Sequence, residues 1–164
     1  MSDQNVRMLG PEEYSLEELR IALIRDTDDN WPFLGAAALL AGDEYWLRQE
    51  RFFQFLRTGN IGDRTWVGVA WKELASALER NEVDAPEPER LAVLRIAVSL
   101  TGYGLVSLSD AVVNHAPQTM RAIIVGILAA GGWSDYEELA QWGPPEASDF
   151  LERFASIFSG LSVE

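Results

Sequence analysis

Apolar residues recur along this chain at helical spacing and rarely alternate, which limits the folds open to it. Leu16, Leu19, Leu23 and Ile24 form one stripe, and the acidic run from Asp26 to Asn30 ends it. Ser15 with Glu18 makes a capping-box pattern, with Tyr14 and Leu19 placed as its hydrophobic staple. A short apolar helix is expected from about Phe33 to Ala41, stopped by Gly42. Asp43 reads as the N-cap of the next helix, with Glu44 and Arg48 as an i,i+4 pair and Gly59 just past its end. Gly59-Asn60-Ile61-Gly62 reads as a turn. Asp63 then reads as the cap of a helix to Arg80, whose face is Val67, Ala70, Trp71, Leu74 and Leu78.

Residues 81–89 hold two prolines and four acids and read as a linker. After it a helix is expected from about Glu89 to Thr101, apolar on nearly every face and therefore central, stopped by Gly102 and Gly104. A short helix over 109–114 follows, then one from Pro117 to Ala130. Ser134 and Glu137 form a second capping-box pattern. Gly143-Pro144-Pro145 breaks the chain, and a last helix over 146–159 carries Phe150, Phe154, Ile157 and Phe158. The expectation is an all-α fold, a single compact orthogonal or irregular bundle of about eight helices. It spans residues 1–164 as one domain, with the acidic Pro-containing linker at 81–89 between two packed halves. With 48% hydrophobic residues in 164, the chain has enough apolar side chain for a core.

The absence of cysteine removes disulfides, thiolate metal sites and Cys nucleophiles, and a cytoplasmic setting is expected. Residues 1–10 carry neither the basic start nor the apolar core of a signal peptide. The apolar stretch from Ala122 to Trp133 is too short for a membrane span, which needs about 20 residues.

The formal net charge is −13. Residues 1–30 hold eight acids and three bases, and residues 132–164 hold seven acids and one base. The chain between is close to neutral, so most of the excess lies at the two ends. This argues against phosphate-backbone binding, which needs clustered Lys and Arg, and against anionic membranes. If the ends meet, they form one acidic surface. Its candidate partner-binding residues are Glu12, Glu13, Glu17, Asp26, Asp28, Asp29, Asp135, Glu137, Glu138, Glu146 and Asp149.

Other chemistry is thinner. Asp26-x-Asp28-x-Asn30 matches the start of a calcium loop, but Trp31 stands where glycine is needed and Ala37 where the bidentate Glu belongs. His115 is the one histidine, so a His-rich zinc site within the chain is excluded. Ser107, Ser109, Asp110 and His115 lack a nucleophile elbow. No metal and no cofactor is expected. Arg95 lies among Leu91, Val93, Leu94, Ile96, Ala97 and Val98, and a buried guanidinium must be paired. Asp110 is its nearest candidate partner. Arg95, Tyr103, Asp110 and Asn114 are thus either a core ion pair with its neighbours or a polar pocket for a small anion. Bases and aromatics interleave from Trp46 to Arg57, but the aromatic spacing is that of a core rather than a nucleobase platform.

The expected function is a non-enzymatic protein-binding module that engages a basic partner protein through its acidic surface. An inhibitor of the immunity-protein, antitoxin or anti-defence kind fits, because carboxylates can occupy a site that a nuclease or other nucleic-acid-handling enzyme holds for phosphates. The alternatives are an oligomeric structural or adaptor protein, dimerising through the C-terminal helix, and a ligand-binding protein or enzyme using the Arg95/Asp110 pocket.

Overall fold

Ser15 opens the first helix as its spacing predicts. Its Oγ accepts a hydrogen bond from the Glu18 amide at 3.2 Å, and Glu18 Oε2 accepts one from the Ser15 amide at 2.7 Å. The computed structural model describes residues 6–7, 10–27, 30–62, 64–107, 109 and 115–132. Helix α1 covers Leu16–Arg25, α2 Trp31–Asp43, α3 Trp71–Glu79, α4 Pro88–Leu100 and α5 Pro117–Ala130. Strands β1 (Val6–Arg7), β2 (Leu56–Ile61) and β3 (Arg64–Val69) form an antiparallel sheet in the order β1-β2-β3. Short 3-10 segments cover Pro11–Glu13, Trp46–Arg48 and Glu50–Phe55. Of the expected helix over 109–114 only Ser109 is described, and it is helical; the capping box at 134–137, the break at 143–145 and the helix over 146–159 lie outside the described residues.

The all-α bundle of about eight helices is therefore corrected. The described residues hold five α-helices and a sheet, and β2 and β3 occupy chain expected to be helical, save 59–61, where a turn was expected and β2 continues. Leu56 pairs with Val69 and Ile61 with Arg64, and Gly62, at φ 63°, begins the turn between the two strands. Thr58, Ile61, Thr65, Val67 and Val69 are β-branched and sit in the paired strands. The stretch reads as helical because Val67, Ala70, Trp71, Leu74 and Leu78 share a helical spacing, yet only Trp71 onward is helix. Asp43 is the last residue of α2 rather than the cap of another helix. Glu44 follows at φ 58°, a left-handed conformation that ends α2, and the aromatic run continues as 3-10 turns.

Helix α2 is the hub. Every residue from Leu34 to Asp43 is buried, and the helix packs on α1, α4 and α5. Its Ala- and Gly-rich sequence lets backbones approach: a Cβ on Gly35 would lie 2.3 Å from the Gly126 carbonyl oxygen of α5. Helix α4, expected to be central, buries Val93, Leu94, Ile96, Ala97 and Val98 but exposes Arg95. On the other side Trp46, Phe52, Phe55, Leu56, Val67 and Leu74 join the same core. Among the described residues no helix is long and apolar enough to cross a membrane.

Candidate functional site

The acids of the first helical region divide into two kinds. Glu12, Glu13, Glu17 and Glu18 are exposed. The Ser15 hydroxyl and amide, both bonded to Glu18, hold its carboxyl below the usual carboxylate range, so it carries full charge at neutral pH. Asp26 is different. Its side chain is only 10% exposed and ties α1 to β3. Oδ1 pairs with Arg64 at 2.6 Å and Arg25 at 3.0 Å, and Oδ2 accepts the Val67 amide at 3.0 Å. Asp26 is thus a structural carboxylate neutralised by two guanidiniums, whereas Glu12, Glu13 and Glu17 remain at the surface, Glu17 in an ion pair with Arg20 at 3.0 Å. Asp28, Asp29, Asp135, Glu137, Glu138, Glu146 and Asp149 lie outside the described residues.

Arg95 is exposed, so it is not the buried guanidinium its apolar neighbours suggest. It lines an open groove of about 250 Å³ with Leu78, Glu79, Asn81, Val98 and Leu105. Tyr103 is half exposed and sets its ring edge-on to Phe33 at 6.4 Å. Asp110 and Asn114 lie outside the described residues. The interleaved aromatics behave as core: Trp46, Phe52 and Phe55 are buried, while Arg48, Arg51 and Arg57 point to solvent.

The buried guanidinium is Arg20. Its Nε donates to the Ala41 carbonyl at 2.9 Å, and its Nη1 pairs with Glu17 and Glu44, each at 3.0 Å. It thereby bonds a carbonyl in the last turn of α2, where a cation is favoured. The signal was present in the sequence, since Leu16, Arg20 and Leu23 share the buried stripe of α1.

A second buried polar group was also missed. Asp43, 8% exposed, joins three elements. Its Oδ1 accepts the Thr119 hydroxyl of α5 at 3.0 Å and pairs with Arg90 Nη1 of α4 at 3.2 Å, whereas Oδ2 is buried with no hydrogen-bond partner among the described residues. Arg90 lies 4.4 Å over the Tyr45 ring and also pairs with Glu87 at 3.4 Å. Desolvation is the larger influence and raises the Asp43 pKa above its ordinary value of 3.8, against the opposing effects of Thr119, Arg90 and His115.

The sign of the pH dependence follows. A raised folded pKa means the native state binds a proton before the unfolded chain does. The contribution of Asp43 to stability therefore grows as pH falls from neutral through that raised value and levels off below 3.8. Thermal melts of wild type and Asp43→Asn between neutral and acid pH check this. The stability difference, wild type minus variant, should rise on acidification; a falling difference would contradict the burial penalty.

Beside β3 runs another open groove, of about 310 Å³. Leu23, Phe33, Val67, Val69 and Trp71 give it an apolar wall, and Asp26, Thr27 and Asn30 rim it. Phe33 and Trp71 meet edge-to-face at 6.5 Å. Among the described residues no group of His, Cys, Asp and Glu is arranged to hold a metal ion. No family model, curated protein or solved structure matches this chain.

Proposed function

We propose that this protein is a non-enzymatic protein-binding module that engages a basic partner through an acidic surface at its N-terminal region. The observation that carries the reading is local. Glu12, Glu13, Glu17 and Glu18 all stand exposed, and among the described residues the one ion pair they make is Glu17 with the buried Arg20, at 3.0 Å. Four carboxylates are thus presented against one guanidinium that is shared with Glu44, a net negative surface of the kind that steers a cationic partner toward an encounter. A partner whose cationic site normally holds phosphates suits such a surface, because carboxylates present similar oxygens. An inhibitor of a nucleic-acid-handling enzyme belongs to this class.

The test is cross-linking with mass spectrometry in extract of the native host, at low and high salt. It uses wild type and the triple variant Glu12→Gln, Glu13→Gln, Glu17→Gln. A partner captured by wild type should bind roughly tenfold more slowly to the triple variant at low salt. The difference should shrink at high salt as screening shortens. Capture that is equal in both proteins and insensitive to salt would remove the acidic-surface mechanism.

A further inference from the structure

Arg90 stands between two carboxylates, one buried and one exposed. Its Nη1 reaches Asp43, whose side chain is 2% exposed, at 3.2 Å. Its Nε approaches Glu87, whose side chain is 61% exposed, at 3.4 Å. The outer contact is loose, because among the described residues the Arg90 Nε makes no hydrogen bond. The guanidinium rests over the Tyr45 ring at 4.4 Å, and Arg51 holds the Tyr45 hydroxyl at 3.2 Å. The Arg90 backbone is fixed, since its carbonyl accepts the Trp46 indole at 2.9 Å and its amide donates to the Glu87 carbonyl at 3.1 Å. Backbone and ring are thus held while the charged end has two positions to choose between.

We propose that Arg90 is a proton-operated switch that carries the charge state of the buried Asp43 carboxyl to the surface at Glu87. With Asp43 ionised, the guanidinium is drawn inward and Glu87 keeps most of its charge. When a solvent proton neutralises Asp43, a part-buried cation loses its counter-charge, which is costly. The guanidinium then slides along the Tyr45 ring and closes a hydrogen bond to Glu87. A negative spot at the start of α4 becomes neutral. The Thr119 hydroxyl serves Asp43 in both forms, because it can donate or accept. Among the described residues the groups that face Asp43 are Arg90 from α4, Thr119 and His115 from the α5 side, and the Tyr45 amide. Glu44 is turned instead to Arg20 and Arg48. Burial raises the Asp43 pKa from 3.8, so its proton arrives at milder acidity than an ordinary aspartate needs, while a cation on His115 opposes it. The switch does not depend on the acidic-surface reading.

The isotope-labelled full chain is titrated from neutral to acid pH, and NMR follows the Asp43 and Glu87 carboxyl carbons and the Arg90 Nε–H. The Glu87 carbon should move in two steps, first together with the Asp43 carbon and then with its own protonation. The Arg90 Nε–H should shift with the first step. Asp43→Asn should hold Arg90 and Glu87 in the acid arrangement already at neutral pH, which erases the first step. If this variant fails to fold, Glu87→Ala on the exposed side decides. There Asp43 should still titrate, while the hydrogen-bond shift of the Arg90 Nε–H is lost. His115→Gln should leave both steps in place; loss of the first step there would make His115 the group that moves Arg90 and overturn the proposal. An Arg90 Nε–H that stays still while Asp43 titrates overturns it as well. So does one that follows Glu87 alone, in wild type and Asp43→Asn alike.

Discussion

Gly35→Ala should destabilise the protein by about 3 kcal/mol, near the top of the usual range for overpacking. For a chain of 164 residues that corresponds to a drop of roughly 6–12 °C in Tm. The added Cβ would meet the Gly126 carbonyl oxygen at 2.3 Å, the Ala130 Cβ at 2.5 Å and the Ala130 amide nitrogen at 2.8 Å. Most of that obstacle is backbone, which cannot swing aside, so α2 and α5 must separate. Alanine favours a helix over glycine by about 1 kcal/mol, which does not offset the loss. Gly68→Ala is the control: its Cβ would find only the Trp66 ring, at 3.8 Å, and stability should hardly change. Thermal melts of the two variants check the pair of expectations. A wild-type Tm for Gly35→Ala would mean that α2 and α5 do not touch backbone to backbone.

Arg20→Ala is expected to cost a similar amount, about 3 kcal/mol, by a different route. The change removes the donor to the Ala41 carbonyl and the cation between Glu17 and Glu44. It also leaves Glu44, already in a left-handed conformation, with Arg48 as its remaining ion-pair partner among the described residues. Arg20→Lys should recover only part of the loss, since an ammonium cannot span a carbonyl and two carboxylates as a planar fork does. Chemical denaturation of the two variants gives the comparison. If Ala and Lys cost the same, the fork geometry is irrelevant; if neither costs anything, the network is a surface decoration despite its burial.

Much of the helical part was legible in the sequence, for reasons that lie within a few residues. Ser15 and Glu18 satisfy each other's orphan groups locally, so that cap is written in the chain. Pro117 stands in the first turn of α5, where a missing amide costs nothing; Pro88 does the same for α4, although it falls in the expected linker and that helix was expected from Glu89. The hairpin was hidden for a different reason. It is local, pairing Ile61 with Arg64 and Leu56 with Val69, but its six-residue strands mix Thr, Val and Ile with Gly, Asn and Arg and carry no clean apolar alternation. Helical spacing in 67–78 then pointed the wrong way, because Val67 joins the core from a strand while Leu74 and Leu78 join it from a helix.

The same division runs through the candidate site. Sequence by itself determined that this chain is strongly acidic, that its acids concentrate toward the ends, and that Cys and His-cluster chemistries are closed to it. It could not say which acids remain at the surface. Tertiary structure decided that Asp26 is consumed by Arg25, Arg64 and the β3 edge, that Asp43 is buried among Arg90 and Thr119, and that Glu12, Glu13 and Glu17 stay exposed. It likewise exchanged the roles of two arginines, burying Arg20 and exposing Arg95. The physical reason is that charge is a property of the residue, whereas desolvation and pairing belong to whatever the fold brings within a few ångströms.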